Sequence, residues 1–403
     1  MKLNTNTESG EFASFERAVS NIDVFDTHSH LIGGRLAARD FWEIGEYFWL
    51  REEMIGAGYP ADPDSLGEAD RCEAYARAFA ATCNTSMNWV VRRIMGDLYG
   101  LEITDAASVR KANEAVGGTA EREGWAAEVT GRLNIRRIAV NREEHAPFPE
   151  LPEGGVWLPR LDDVLTARME EFAGGGARAG RVEAAAEELS ELVDEAARKG
   201  APGIMTTLPR LDRRIGRESV SLRPEDNSAG EILDFLLHRM CARAERNGLF
   251  VQFFLGIERN RAGGRPAPVN DPERILNLYG LFEAYACPFE LVLGSEINNL
   301  DAVQAARIFP HVRVGGLWWY NFRVSSYRDC MQKRFEALPP AKSSFVVSDA
   351  RCVEWCYGKI LLIRKLMAEF LFAQVQNGWV DEEEALRCAR EWLHDAAARL
   401  YLK

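Results

Sequence analysis

The stretch Ile22-Asp23-Val24-Phe25-Asp26-Thr27-His28-Ser29-His30 decides how the rest of the chain is read. An apolar run leads straight into two histidines with one residue between them. On a β-strand, residues i and i+2 project to the same face. A strand here therefore aims the imidazoles of His28 and His30 at one point, an arrangement that suits a divalent cation. The chain has six histidines, so a pair at this spacing is not background. The competing reading is a pair of turn or surface histidines. The apolar run ahead of them favours a strand that ends in a metal-binding pair.

Further along the chain, similar short runs recur with helical patterns between them. Strands are expected near Ile22–His30, Ile135–Asn141, Val156–Asp162, Gly203–Arg210, Phe250–Ile257, Phe289–Ser295, Val312–Tyr320 and Ser343–Asp349. Their runs are mostly apolar rather than alternating, as in strands covered on both faces of a parallel sheet. Helical periodicity separates them, as over Val182–Arg198 and Ala229–Arg246. Strand and helix alternating eight times predict an α/β fold, a (β/α)8 TIM-like barrel, with residues 1–403 as one domain. The long interval after the first strand breaks the rhythm. Arg39–Ile55, Glu68–Cys83, Met87–Leu98 and Ser108–Val116 read as helices, with Trp42, Tyr47, Phe48, Trp49 and Trp89 giving apolar faces. Residues 35–130 are thus expected to form an inserted helical cap. Gly174-Gly175-Gly176 marks a turn, Arg259–Asp271 a long loop, and Asp381–Leu402 an amphipathic helix.

A chain of 403 residues with 47% hydrophobic and 27% charged side chains has a globular composition and enough apolar residues for a large core. The net charge of -12 argues against sequence-independent binding to nucleic acid or to an anionic membrane. It does not exclude a small anionic substrate held by a few arginines. Met1–Gly10 is polar, without a signal pattern, and no run approaches the roughly 20 apolar residues of a membrane span. The eight cysteines are scattered, so reduced thiols and a cytoplasmic setting are expected.

In (β/α)8 barrels the chemistry sits at the C-terminal ends of the strands. The third expected strand ends at Arg160-Leu161-Asp162, the seventh at Trp318-Trp319-Tyr320-Asn321, and the eighth at Ser348-Asp349-Ala350-Arg351. Asp349 is the natural third donor to a metal held by His28 and His30, or a base beside it. A cation compensates the desolvation of a buried carboxylate. Its alternative is a helix N-cap after the eighth strand. Arg351 and Arg160 present planar forks that fit a carboxylate, and each reads equally well as half of a salt bridge. Trp318 and Trp319 fit either core packing or the wall of a sugar pocket. Tyr47 is a candidate acid/base or hydrogen-bond donor, although spacing alone places it in a core.

Together these motifs resemble the amidohydrolase superfamily and, within it, the uronate isomerases, over almost the whole chain. Asp26, His28 and His30 match the family's first-strand Asp-x-His-x-His. Glu46-Tyr47-Phe48-Trp49 is similar to its His-Tyr-x-Trp, and Arg160-Leu161-Asp162 to its Arg-Pro-Asp. Trp318-Trp319-Tyr320-Asn321-Phe322 resembles its Trp-Trp-Phe-Asn-Asp, and Ser348-Asp349-Ala350-Arg351 its Thr-Asp-Ser-Arg. The chain departs from the pattern at Phe254, where the family carries a strand-five histidine. It departs again at Glu46 and Phe322, at Thr206-Thr207-Leu208 in place of a Ser-Asp-His, and at Gly358-Lys359 in place of an Arg-His pair.

The resemblance implies a divergent, metal-dependent aldose–ketose isomerase acting on a hexuronate such as D-glucuronate or D-galacturonate. It implies one divalent ion on His28, His30 and Asp349, zinc first, with manganese, iron or cobalt as alternatives. Asp349, Arg351 and Tyr47 would be catalytic, and Arg160, Trp318, Trp319 and Asn321 would bind the substrate. The partner is then a small sugar acid, with no nucleic acid and no membrane. Assembly into a homo-oligomer fits the family but is required by no stripe in the sequence. Two other readings remain open. One is a hydrolase of a lactone, ester or amide, or a decarboxylase, on the same metal site. The other is a barrel that binds a sugar acid without turnover.

Overall fold

The computed structural model describes residues 5–142, 145, 148, 151–173, 178–211, 213–258, 267–268 and 271–402. The expected Gly174–Gly176 turn lies outside them, as does most of the expected 259–271 loop. The chain divides into two compact units, Met1–Ile138 with Pro147–Gly155 and Ser348–Glu369, and Ala139–Ala146 with Val156–Val347 and Phe370–Lys403.

The first unit opens with a helix that the sequence reading did not mark, α1 (Thr5–Ser20), and continues into β1 (Val24–Ser29), every residue of which is buried. The expected helical insertion follows as α2 (Phe41–Gly45), α3 (Phe48–Gly56), α4 (Glu68–Ala81), α5 (Ser86–Tyr99), α6 (Ala106–Thr119) and α7 (Trp125–Gly131). Local chemistry sets these boundaries. Asp40 caps α2 by accepting from the Glu43 amide at 3.0 Å, and Asp105 and Ser108 form a reciprocal cap on α6. Gly100 ends α5 in the left-handed region at φ +66°. The apolar face of α5, Met87, Val90, Val91, Ile94, Met95 and Leu98, has the i, i+3, i+4 spacing of a helix lying on a core. That face meets the helix Val353–Gln376 so closely at Gly358 that an added Cβ would sit 2.6 Å from Val90 and 2.7 Å from Ile94.

One buried carboxylate ties the insertion to the rest of this unit. Glu354 accepts from the Ala38 amide (3.1 Å), the Tyr99 hydroxyl (3.1 Å) and the Trp125 indole (2.8 Å). Its partners come from the loop after β1, from α5 and from α7.

The strands that follow are β2 (Ile135–Val140), β3 (Val156–Trp157), β4 (Gly203–Thr207), β5 (Phe250–Leu255), the short β6 (Ile257–Glu258) and β7 (Ala267–Pro268), β8 (Phe289–Leu293) and β9 (Val312–Leu317). In the first unit β1 lies beside β2, with the Val24 amide donating to Asn134 at 2.9 Å. In the second, Ala139 and Val140 pair in parallel with Val156 and Trp157, and Arg160 bridges to Met205. β4, β5, β8 and β9 form a continuous parallel sheet. Val314 then bridges to Ser343 in the second unit, and Ser29 to Ala350 in the first.

Apart from β6 and β7, the strand pairing in the second unit is parallel, as the expected α/β fold requires. β6 and β7 form a separate two-residue antiparallel pair. The outward faces of the second unit's sheet, among them Val251, Phe253, Leu255, Leu291 and Val314, share one apolar core with the unit's helices, with Ala179–Arg198 on β4, Ala229–Arg246 on β5 and Asn299–Ile308 on β9. Two expected strands differ from a regular ladder: the third pairs only at Val156 and Trp157 before the isolated Arg160 bridge, and the eighth is held by isolated bridges at its two ends. Asp349 adopts φ +52°, which breaks the extended run, and the Ser348 amide donates to the Asp26 side-chain carboxylate of β1 rather than to a strand carbonyl.

Candidate metal centre

His28 and His30 stand on the last turn of the pleat and just past it, and the spacing of two puts both rings on one side. Their centroids are 4.8 Å apart and nearly perpendicular. The eighth segment brings Asp349 to the same place. Its amide donates to the His28 carbonyl at 2.9 Å, and the His30 amide donates to the Ala350 carbonyl at 2.8 Å. Asp26 locks the two segments together, accepting from the Ser348 amide at 2.9 Å and the His28 amide at 3.3 Å.

One Asp349 oxygen, Oδ1, lies 3.3 Å from His28 Nε2 and 3.1 Å from His30 Nε2. The three donor atoms all fall within 4.8 Å of one another. Around an ion bound at about 2.0–2.2 Å, neighbouring ligands sit about 3.0–3.5 Å apart, so two of these edges have the length a coordination polyhedron needs. The donor set, two imidazoles and a carboxylate, fits a divalent transition metal or zinc. His28 and Asp349 are buried, whereas a quarter of the His30 side chain is exposed, which leaves an approach from solvent.

The electrostatics suit a ligand carboxylate. Burial opposes ionisation of Asp349, yet the imidazoles of His28 and His30 beside it, with the charge of Lys359, hold its carboxyl well below the ordinary range. Asp26 behaves in the opposite way: burial outweighs its hydrogen bonds to Ser348 and His28 and pushes it up to about 6.

Tyr47 is thrown toward Asp349 by the break between α2 and α3, where its own backbone is extended (φ -51°, ψ 132°) and caps the second helix. It is buried. Its hydroxyl donates to the Asp349 main-chain oxygen at 3.0 Å and lies 3.5 Å from Oδ2. Burial first, then the negative charge of Asp349, hold this phenol well above its ordinary pKa, so it stays a neutral donor. Arg351, exposed, carries its guanidinium 5.9 Å from the Phe48 ring centroid. Glu46, at the family's cap-histidine position, is paired with Arg71 at 2.8 Å and accepts from Tyr59.

The other residues expected to touch substrate belong to the second unit. Arg160 makes a two-point contact with Asp162, one arm of it at 2.6 Å. Trp318 is buried and meets Phe254 edge-on at 4.8 Å. The strand-five position that carries histidine in the family thus serves an aromatic contact here. Trp319 is half-buried and has φ +51°, a strained backbone for a bulky residue. Asn321 is fully buried, and its amide donates to the Leu293 carbonyl at 2.9 Å, bracing this turn.

Sequence reasoning missed Lys359. It is buried and donates to the Tyr47 hydroxyl at 2.7 Å. Its only advance signal was its place in the departure from the family's Arg-His pair.

Comparison with solved structures places this geometry in a known fold. The chain is similar to the uronate isomerase of Thermotoga maritima at TM-score 0.78 and 14% identity, covering 97% of each chain. It is similar to the uronate isomerase of Bacillus halodurans at TM-score 0.72 and 18% identity, over 98% of this chain and 96% of that one. It is likewise similar to the glucuronate isomerase of Caulobacter crescentus at TM-score 0.74 and 14% identity, over 98% and 94%. No protein-family model matches the chain, and no curated protein sequence does. The chain has the fold of the uronate isomerases, and within it a His-His-Asp cluster suited to a divalent metal.

Proposed function

We propose that this chain is a metal-dependent aldose–ketose isomerase that converts a hexuronate, D-glucuronate or D-galacturonate, to the corresponding ketouronate. The observation that carries the reading is the convergence of His28, His30 and Asp349 in a chain whose fold matches uronate and glucuronate isomerases over nearly its full length. Those three residues would hold one divalent ion. Zinc is proposed first, with manganese, iron and cobalt as alternatives, since this donor set suits each of them. When bound, such an ion would supply a Lewis acid for the oxygens at C1 and C2 of the open-chain sugar.

The chain's own residues do the rest. Asp349, held ionised, takes the proton from C2 and returns it to C1, while the hydroxyl proton passes from O2 to O1. The sum is an isomerisation with no oxidant and no water consumed. Arg351 stabilises the negative charge that develops on the enediol oxygens. Tyr47 keeps Asp349 in place as a hydrogen-bond donor. Arg160 is proposed to bind the distal carboxylate, and Trp318, Trp319 and Asn321 to shape the sugar site. The partner is a small sugar acid, and the proposed setting is carbohydrate metabolism in the cytoplasm.

Hydrolysis or decarboxylation on the same centre is the competing reading. Related hydrolases use the strand-five histidine, and Phe254 packed on Trp318 counts against it here. The test is an assay of metal-reconstituted protein with both uronates, reading ketose formation, beside Asp349→Asn. Ketose formation that disappears in the variant is expected. Cleavage of a lactone or ester panel with no ketose from either uronate would replace the isomerase by a hydrolase.

A further inference from the structure

Lys359 and Trp355 stand one helical turn apart on the helix Val353–Gln376, so they share a face. Both meet Tyr47. The Trp355 ring lies 4.1 Å from the Tyr47 ring, tilted by 32°, and the Lys359 ammonium is 4.5 Å from the Tyr47 ring centroid and 2.7 Å from its hydroxyl oxygen. The ring is thereby fixed in plane and the hydroxyl fixed in direction. Gly358, next in the chain to Lys359, lets α5 approach this helix within reach of Val90 and Ile94, which seats Lys359 in the interior.

The donor chemistry then has one solution. A lysine ammonium can only donate. The Tyr47 oxygen must therefore accept from Lys359, and its own proton is committed elsewhere. The acceptor in line is Asp349, through its main-chain oxygen at 3.0 Å, with Oδ2 at 3.5 Å. Asp349 needs such a hold, because it keeps a left-handed backbone, φ +52°, while its Oδ1 is presented to His28 and His30. Left-handed residues of this kind persist only where their surroundings over-determine them.

We propose that Lys359 is a positioning residue of the metal centre, acting through Tyr47 to hold Asp349 in the conformation that offers its carboxylate beside the two histidines. The relay Lys359→Tyr47→Asp349 replaces the direct second-sphere bond that usually orients a metal-binding side chain. It also makes Tyr47 a donor to the protein, its proton committed to Asp349. This inference rests on the metal reading of His28, His30 and Asp349, and it does not depend on the uronate substrate.

The test measures Zn2+ affinity of the metal-free full chain by competition with a chromophoric chelator, for wild type, Lys359→Met, Tyr47→Phe, the double variant and Lys359→Arg. Far-UV circular dichroism and a melt accompany each. Losses of an oriented second-sphere partner run about 10- to 100-fold in metal affinity. We expect Lys359→Met and Tyr47→Phe each to fall in that range, and the double variant to be no worse than the weaker single, because both cut one relay. Lys359→Arg, which keeps a buried cationic donor, should recover part of the loss. A merely structural lysine would lower the melting temperature and leave the affinity of the folded protein alone. Unchanged affinity in folded Tyr47→Phe and Lys359→Met, or losses that simply multiply in the double variant, would overturn the relay while leaving the metal site standing. Absence of Zn2+ binding by the wild type would instead remove the site itself, and the relay with it.

Discussion

Asp349 and Glu354 are both buried carboxylates of the first unit, five positions apart in the chain, and the fold uses them in opposite ways. Glu354 is saturated by the protein itself, with an amide, a phenol and an indole all donating to it. Nothing about that arrangement invites a ligand, and it ties the loop after β1 to α5 and α7. Asp349 faces two imidazoles with one oxygen, and its main chain, rather than its carboxylate, takes the short bond from Tyr47. A carboxylate met by hard-wired N–H and O–H donors is an anchor. One met by nitrogens that can give up their protons is a place for a cation. Burial alone does not separate the two; the chemistry of the partners does.

Four experiments bear on that contrast, in descending size. Asp349→Asn keeps the side chain's shape and removes its charge; ketose formation should fall by roughly 10³-fold, in the range of a lost general base, with the melting temperature little changed. Loss of fold along with activity would make Asp349 an anchor like Glu354. Glu354→Ala should do the reverse. Orphaning three buried donors and opening a cavity costs about 3 kcal/mol or more, read by denaturant titration, while Zn2+ affinity of the protein that remains folded stays at the wild-type level. Stripping the ion with a chelator and restoring it at about 100 times its Kd should recover about 2.7 kcal/mol. In His30→Ala that recovery should vanish, and a persistent metal-dependent melt would point to other ligands. Tyr99→Phe removes one of the three donors to Glu354 and should cost about 1 kcal/mol, without effect on metal binding.

Much of this was legible in the sequence because it is local. A period of two fixes where His28 and His30 point, whatever the rest of the chain does, and buried parallel strands announce themselves as apolar runs. Two helices of the insertion came through for the same reason, with Glu68–Cys83 realised as Glu68–Ala81 and Met87–Leu98 as Ser86–Tyr99, whereas the single helix expected over Arg39–Ile55 is broken at Glu46-Tyr47 into α2 and α3. Asp349 was found as a strand-end carboxylate. What stayed hidden depends on partners remote in the chain. Tyr47 and Lys359 are separated by 312 positions, and no periodicity in either neighbourhood encodes their bond. Glu354 reads as an ordinary helix residue until α5 and α7 arrive at it. The eighth strand was expected as a ladder, and the left-handed Asp349 that interrupts it has no signature in composition, since aspartate is common in any such loop. Asn321 stands out in the sequence as part of a strand-end motif, but its bond to the Leu293 carbonyl, which braces the turn, has no signal there.

The pairing of His28 with the Ser348–Asp349 segment also bears on how the protein is made. These groups are about 320 positions apart, so during synthesis the histidines leave the ribosome long before the carboxylate that completes their set. Until then the first strand carries two exposed imidazoles and a strongly apolar face with no neighbour on that side. On the metal reading, an ion captured once Asp349 arrives would clasp the early part of the chain to the late part, and its binding energy would add to the stability of the folded state. Fragments that stop short of the eighth segment should therefore bind metal no better than any isolated pair of histidines, however well their helices form.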